Sequence, residues 1–223
     1  MAASPFAQMR TWVFDLDNTL YPESVDLFAQ IRPRMTLWLM RRFGIDRAEA
    51  DHLREDYWDR YGTTLAGLVA EHRIDPVEFL AEAHDIDLSA LAPDPGLTRA
   101  IAALPGRRVV FTNGDSTYAA RVLARRGLDG AFDAIYCAEH ANFVSKPAAE
   151  AFSRIFALEG LTPRRSAMFE DDPRNLAVPH GLGLRTVLVG TGTRAAPHID
   201  HRTGDLAAFL ATHAPASGGT DHG

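Results

Sequence analysis

The sequence has a single cysteine, Cys137, so no disulfide can form within the chain. It also has no apolar run that approaches the roughly 18 residues a membrane-spanning helix needs. The N-terminal residues contain no long apolar segment of the kind that directs secretion. These absences predict a cytoplasmic protein without a membrane span, in which Cys137 is a buried structural thiol.

Positive charge is scarce, with 23 Lys and Arg against 29 Asp and Glu and a net charge of −6. Surfaces that bind nucleic acid polymers need clustered Lys and Arg, because they act by releasing counterions. We therefore expect a small-molecule partner, for which a locally positive pocket is enough. The 46% hydrophobic content is globular, sufficient for one sizeable core and a smaller second unit.

Five short apolar runs, rich in β-branched or aromatic residues, predict buried strands. They are Thr11–Phe14, Arg108–Phe111, Ala134–Cys137, Ala167–Glu170 and Arg185–Val189. Helical patterns lie between most of them, and strands that alternate with helices pair in parallel through right-handed crossovers. The prediction is an α/β, doubly wound parallel sheet with its active site at the carboxyl ends of the strands.

Residues 21–92 show helical periodicity without a convincing strand run. Their position predicts a helical cap inserted after the first strand, with a return hinge from Pro93 to Gly96. Pro33 should kink or split the first cap helix, because proline lacks a backbone donor. The core would comprise residues 1–20 and 93–213, and the small, polar residues 214–223 are predicted to be a disordered tail.

Asp15 and Asp17 follow the first predicted strand, in the sequence FDLDNTL. Side chains alternate along a strand, so two acids separated by one residue point the same way and can converge on one ligand. By itself the pair fits a capping and a turn aspartate equally well.

Two further strand ends carry groups that suit a phosphate. Thr112 and Asn113 stand where the second strand meets a helix, and a hydroxyl, an amide and free backbone N–H groups there can cradle an anion. Lys146 precedes a proline after the third strand and can neutralise a phosphate and its nucleophile. A capped turn and a solvated lysine are the ordinary alternatives.

The fourth strand ends in three consecutive acids, Glu170, Asp171 and Asp172. They repel one another unless a cation is present, and carboxylate oxygens suit Mg²⁺. A solvated acidic loop is the ordinary alternative. Because all four sites lie at or just past carboxyl ends of strands in one predicted sheet, coincidence is the weaker explanation.

In order, spacing and strand placement, these four motifs resemble those of the haloacid dehalogenase-like (HAD) hydrolase superfamily. The resemblance covers roughly residues 10–190. It implies a Rossmann-like core with strand order 5-4-1-2-3 and a helical cap inserted between the first and second motifs.

The resemblance also implies a role for each motif residue. Asp15 would attack phosphorus to form an aspartyl phosphate, and Asp17 would protonate the leaving oxygen and then activate water. The phosphoryl oxygens would be held by Thr112 and Lys146. Asn113 would assist in binding the substrate through its amide or its backbone.

For the cofactor, the resemblance implies Mg²⁺ bound by the carboxylates of Asp15 and Asp171 and by the backbone carbonyl of Asp17. Relatives often have Gly or Asp, then Asp, then Ser in the fourth motif. Glu170 and Asp172 depart from that pattern at the flanking places, so Asp171 is the expected ligand, and Glu170 and Asp172 are candidates for positions behind it.

A narrower resemblance links the chain to the pyrimidine 5′-nucleotidase branch of the superfamily. It rests on FDLDNTLYP at 14–22, YWDRYGTTLAGL at 57–68 and HDIDL at 84–88. It implies hydrolysis of UMP or CMP, with substrate contacts from Tyr61, Thr63 and Thr64. Helix packing and capping account for those three residues equally well, and His84 is a weaker candidate for reading the base or ribose.

Three other functions stay open. A phosphatase or phosphomutase acting on a sugar phosphate is opposed only by the cap residues. A haloacid dehalogenase needs neither a second acid nor a metal, so Asp17 and the acidic cluster at 170–172 argue against it. A non-catalytic phosphate-binding protein would be marked by the loss of a catalytic position, and none is lost. The sequence is compatible with a monomer or a homodimer.

Overall fold

A single parallel sheet of six strands forms the centre of the molecule in the computed structural model, which describes residues 4–191 and 196–213. The strand order is β3-β2-β1-β4-β5-β6, which confirms the predicted 5-4-1-2-3 order. The strands are β1 (Thr11–Phe14), β2 (Arg107–Phe111), β3 (Ala134–Tyr136), β4 (Ser166–Glu170), β5 (Arg185–Val189) and β6 (His201–Thr203). The predicted tail, 214–223, lies outside the described residues.

The strand β6 was absent from the sequence prediction. It consists of three residues, His201, Arg202 and Thr203, and pairs in parallel with β5 at the edge of the sheet. None of the three is apolar, so no hydrophobic run announces the strand. Its pairing with β5 is a tertiary contact that local sequence does not encode.

The central strands β1 and β4 are buried along their whole length. Parallel strands covered on both faces have near-continuous apolar sequences, which explains why both were predictable. On one face, Phe14 stacks on Phe169 with ring centroids 4.7 Å apart. The two residues are also level in the sheet register, so Asp15 and Glu170, which follow them, reach the carboxyl edge together.

The described residues form nine α-helices. They are α1 (Phe28–Phe43), α2 (Arg47–Tyr61), α3 (Thr64–His72), α4 (Pro76–Ala83), α5 (Pro95–Ala102), α6 (Ser116–Arg126), α7 (Ala149–Glu159), α8 (Ala177–Leu182) and α9 (Leu206–His213). One face of the sheet is covered by α5, α6 and α9, and the other by α7 and α8. Within the described ranges, no helix combines the length and apolarity needed to cross a membrane.

The helices α1 to α4 lie between β1 and β2 in the chain, and we call them the helical insertion. They share a cluster of buried side chains that includes Trp38, Tyr57 and Phe79. The start of α2 is stabilised by a capping box, in which Asp46 and Glu49 each accept the other's backbone N–H. The insertion therefore has an apolar core of its own beside the sheet.

The proline in α1 does not split the helix. Pro33 lies in its second turn, and α1 runs as one helix from Phe28 to Phe43. Pro33 has no backbone N–H, so the helix loses one hydrogen bond there. Little else is lost before it, because the N–H groups of the first turn have no intrahelical acceptor in any case. Burial of Ile31 and Trp38 on either side keeps the helix packed.

Both chain connections to the helical insertion are tied to one arginine. Arg126, the last residue of α6, is 6% exposed. Its guanidinium donates to the Leu20 carbonyl at 2.9 Å, to the Ala92 carbonyl, and to Asp94 Oδ2 at 2.9 Å. Leu20 precedes the insertion and the other two follow it, so a single buried cation joins the outgoing and returning segments.

We expect Arg126→Met to lower the free energy of unfolding by roughly 2–4 kcal/mol, because two carbonyls and a carboxylate lose their donors. The matched control is Arg125→Met, since Arg125 is the exposed neighbour in the same helical turn and should change stability by no more than about 0.5 kcal/mol. Urea unfolding monitored by circular dichroism measures both. Equal losses in the two variants would contradict the assignment.

Candidate active site

The loops that follow β1, β2, β3 and β4 converge at the carboxyl edge of the sheet. They line a cavity of about 610 Å³ that the helical insertion closes from the other side. The sequence-predicted residues that line it are Asp15, Asp17, Thr112, Asn113, Lys146, Glu170, Asp171 and Asp172 from the sheet side, and Thr63, Thr64 and His84 from the insertion.

Lys146 lies at the centre of this edge with 1% exposure. Its Nζ donates to Asp15 Oδ1 at 2.7 Å, to Glu170 Oε1 at 2.8 Å and to the Phe111 carbonyl at 2.9 Å. Burial opposes the charge, but the two carboxylates outweigh burial and raise the pKa of Lys146 above its ordinary value. The lysine is therefore a fixed cation with all three N–H donors in use.

Glu170 anchors the lysine and is fully buried. Its Oε1 also accepts from Asn175 Nδ2 at 2.7 Å, and its Oε2 accepts from the Asp172 backbone N–H at 2.8 Å. Both oxygens are thus occupied by protein donors. This arrangement suits a residue that holds Lys146 in position.

The neighbouring acids are crowded. Oxygens of Asp15, Glu170 and Asp171 lie within 4.8 Å of one another. Burial raises the pKa of Asp15 to about 8, with Lys146 opposing and the charge of Glu170 adding to the rise. Burial, followed by the charges of Glu170 and Asp15, raises the pKa of Asp171 to about 9. The cluster therefore carries more carboxylate than one lysine neutralises.

Asn18 makes the turn that follows Asp17. Its φ of +56° lies in the left-handed region, which asparagine tolerates better than most residues. The turn lets Asn18 Nδ2 donate to Asp171 Oδ2 at 3.1 Å. Among the described residues, its buried Oδ1 has no hydrogen-bond partner, which leaves an oxygen acceptor free beside Asp171.

Thr112 and Asn113, which follow β2, also line the cavity. Thr112 is 1% exposed, and its Oγ1 accepts from the Gly114 backbone at 2.9 Å, so its own hydrogen can point into the cavity. The side-chain amide of Asn113 accepts from the Lys146 backbone N–H at 2.8 Å and donates to the Lys146 carbonyl at 3.1 Å. Its side chain is therefore committed to the lysine loop, and its backbone is the part left for a substrate.

Asp17 is held by two tyrosines that the sequence reasoning missed. Its Oδ1 accepts from the hydroxyl of Tyr21 at 2.6 Å and from that of Tyr118 at 2.7 Å. Burial and the charge of Asp17 raise the pKa of both phenols above the ordinary value, so both stay protonated. The available signals were the position of Tyr21 just past the first motif and that of Tyr118 in the first turn of α6, at the carboxyl edge.

Of the three insertion residues proposed as substrate contacts, two line the cavity and one does not. Thr63 caps α3 and its Oγ1 donates to Ser145 Oγ at 3.0 Å, while Thr64 Oγ1 donates to the Arg54 carbonyl at 3.0 Å. Both threonines line the cavity. Tyr61 is not among the lining residues, and its hydroxyl donates to Glu71 at 2.7 Å.

His84, at the end of α4, is 8% exposed. Its Nδ1 lies 2.6 Å from Asp115 Oδ2, and its ring stacks on Tyr118 with centroids 4.3 Å apart and planes 13° apart. One nitrogen and one ring face are thus already engaged by the protein.

The insertion packs directly against the loops at the carboxyl edge of the sheet. A Cβ on Gly62 would come within 2.3 Å of Pro147, so only glycine permits this approach, and the φ of +86° at Gly62 favours glycine as well. Beside it, the guanidinium of Arg174 lies 3.7 Å from the ring centroid of Trp58 and pairs with Asp172 at 2.7 Å. Through Arg174, Asp172 thus helps to hold the insertion against the loop that follows β4.

Comparison with known proteins agrees with this architecture. A solved HAD phosphatase from Thermococcus onnurineus has a TM-score of 0.58 at 17% identity, covering 87% of this chain and 93% of that one. The HAD-hydrolase YfnB from Bacillus subtilis, bound to magnesium, has a TM-score of 0.57 at 16% identity, covering 92% and 98%. Solved haloacid dehalogenases have a similar fold.

A relative in sequence is Phosphate metabolism protein 8 of Saccharomyces cerevisiae. It is 27% identical over 184 residues, which cover 75% of this chain and 57% of the yeast protein. The chain thus spans little more than half the length of that relative. The family model of haloacid dehalogenase-like hydrolases matches residues 9–183, the region that contains all four motifs. This chain therefore belongs to the haloacid dehalogenase-like hydrolases.

Proposed function

We propose that this chain is a magnesium-dependent phosphomonoesterase that acts through an aspartyl phosphate on Asp15. The observation that carries the proposal is the contact of 2.7 Å between the Asp15 carboxylate and the buried Lys146, beside a second acid held by two phenols. The names of the yeast relative and of the Thermococcus neighbour suit phosphate chemistry.

In the first step, a carboxylate oxygen of Asp15 attacks phosphorus as the bond from phosphorus to the ester oxygen breaks. Asp17 gives its proton to that oxygen, and the alcohol leaves. Lys146 and the Thr112 hydroxyl offset negative charge on the phosphoryl oxygens, where positioning and charge neutralisation supply most of the catalysis.

In the second step, Asp17 takes a proton from water, and the hydroxide attacks phosphorus. The bond from phosphorus to Asp15 breaks, which regenerates the carboxylate and releases inorganic phosphate. Asp17 ends the cycle protonated again, with a proton from water in place of the one that left with the alcohol.

The residues present fit a divalent cation, because clustered carboxylates exceed the positive charge of Lys146 and Asn18 presents an unpaired oxygen. We propose that Asp15, Asp171 and the Asp17 backbone carbonyl hold Mg²⁺. When bound, it supplies the positive charge that lets an anionic phosphate approach a carboxylate. Glu170 is a poor ligand, since both its oxygens have protein donors.

We expect Mg²⁺ to raise the melting temperature more at pH 9 than at pH 6. The pKa values of Asp15 and Asp171 are raised to about 8 and about 9, so a cation must displace protons at lower pH. In the metal-free protein these raised values stabilise the fold fully below about pH 4, and that contribution is lost as pH rises toward 9.

Thermal unfolding in Mg²⁺ and in EDTA at each pH measures this effect. Asp171→Asn should abolish the increase in melting temperature, whereas substitution of the exposed Asp129 by Asn should retain it. An increase that is independent of pH, or one that persists in Asp171→Asn, would count against the proposed ligands.

For the substrate, we propose a pyrimidine nucleoside 5′-monophosphate, with residues 21–92 acting as the cap over it. Besides the sequence resemblance, support comes from the insertion side of the cavity, which offers apolar walls from Phe28, Met35 and Phe79 together with the polar Arg54 and Thr64. A planar base suits the first group and its polar edge the second. The volume of about 610 Å³ suits a small ester.

We expect UMP and CMP to be hydrolysed faster than AMP, GMP and hexose phosphates, since the cap resemblance favours a pyrimidine. Phosphate release from this panel, with Mg²⁺ and with EDTA, measures the order. Faster hydrolysis of hexose phosphates would assign the site to sugar phosphates. Chloride release from L-2-chloropropionate without metal would instead identify a dehalogenase.

Asp15→Asn should reduce phosphate release by at least roughly 10⁴-fold, because an amide cannot form the acyl phosphate. Wild-type protein quenched during turnover should carry phosphate that hydroxylamine removes, and the variant should carry none. The matched control is Asp129→Asn at the exposed site, with turnover like wild type. Retained activity in Asp15→Asn would refute the covalent mechanism.

A further inference from the structure

Two tyrosines from different parts of the chain converge on one oxygen of Asp17. Tyr21 lies just past the first motif and Tyr118 lies in α6, and both hydroxyls donate to Oδ1 at 2.6 and 2.7 Å. Their exposures are 2% and 1%, so neither ring can move without disturbing the core. A phenol has one proton to donate, and both are given to the same atom.

This geometry gives the two carboxyl oxygens of Asp17 different roles. Oδ1 is occupied by two donors, which leaves Oδ2 as the atom that can carry a proton to and from a substrate. A short side chain on a turn is otherwise free to change its rotamers, and proton transfer depends on a donor held within hydrogen-bond reach of its acceptor. Rigid aromatic rings supply that restraint at little entropic cost.

Tyr118 is in turn fixed by the cap of its own helix and by a residue of the helical insertion. Its backbone N–H donates to Asp115 Oδ1 at 2.9 Å, which caps α6, and the other oxygen of Asp115 lies 2.6 Å from His84 Nδ1. His84 belongs to the helical insertion and stacks on the Tyr118 ring at 4.3 Å. The insertion thus contacts Tyr118, one of the two tyrosines that donate to Asp17.

We propose that Tyr21 and Tyr118 are positioning residues that present Oδ2 of Asp17 to the ester oxygen, with His84 and Asp115 fixing Tyr118 from the insertion. This role rests on the proposed phosphomonoesterase function. A purely structural hydroxyl would be satisfied by any buried acceptor, such as a carbonyl. Here both hydroxyls donate to Asp17. In the proposed chemistry this side chain must lose and gain a proton while it stays in one position.

The test uses single-turnover kinetics with excess full-length enzyme and Mg²⁺ on two esters. UMP has a poor leaving group that needs the proton from Asp17, whereas p-nitrophenyl phosphate has a good one that needs it little. Tyr118→Phe and Tyr21→Phe should each slow alcohol release from UMP by about 10- to 100-fold, a part of what general acid catalysis supplies. Release of p-nitrophenol should slow by less than about threefold, and the enzyme concentration that gives the half-maximal single-turnover rate should change little.

The matched control is Tyr136→Phe, which removes a tyrosine hydroxyl from a carboxylate elsewhere, where it donates to Glu159 at 2.9 Å. It should leave both rates unchanged. As a second measurement, adding Tyr118→Phe to Asp17→Asn should slow alcohol release from UMP no further, because the tyrosine acts only through Asp17.

Equal slowing of both esters, or additive losses in the double variant, would reduce the tyrosines to structural roles. Wild-type rates in both phenylalanine variants would overturn the inference while leaving the phosphomonoesterase proposal intact. Absence of turnover by the wild-type enzyme on every ester would overturn both.

Discussion

Lys146 carries a positive charge at a buried position and is held there by three acceptors, two of them carboxylates. A buried charge of this kind is stable only while its partners are complete, because removal of one leaves another uncompensated. Asp15 comes from β1, Glu170 from the end of β4, and the lysine from the loop after β3. The pairing register of the sheet therefore decides whether the ion cluster can form.

The same requirement explains the residues around the cluster. Asn113 fixes the main chain of Lys146, and Asn175 fixes Glu170, so the lysine is held through its backbone and through its partner. The acids left over, Asp15 and Asp171, have raised pKa values because one lysine does not neutralise them. An excess of buried carboxylate costs stability in the protein alone, and a cation between those acids would relieve that cost.

The helical insertion is coupled to this edge at several points. Arg126 ties together its two connections, Gly62 lies against Pro147, and Trp58 packs on Arg174. His84 reaches the tyrosine that holds Asp17. Movement of the insertion would therefore change the surroundings of the lysine loop and of the second acid together, which gives its position a direct chemical consequence.

Much of the fold could be predicted from local sequence. The buried strands β1, β2, β4 and β5 read as apolar runs, and α6 begins at an aspartate cap and ends at a glycine. The strand β6 escaped because its residues are polar and its existence depends on β5. At the site, acids and a lysine at strand ends pointed to one edge. Tyr21 and Tyr118 were not identified from the sequence, because their shared acceptor Asp17 lies across a turn from Tyr21 and 101 positions from Tyr118 in the chain.

By itself, the sequence determined which chemical groups stand at the carboxyl ends of the strands, because strand periodicity and motif spacing are local properties. Only the tertiary structure decided which partner each group has: Glu170 on Lys146, Asn113 on the lysine backbone, two phenols on Asp17, and Tyr61 turned to Glu71 instead of the cavity. Those choices depend on hydrogen-bond distances between residues up to 101 positions apart. Packing of the whole chain sets such distances, and a local pattern does not contain them.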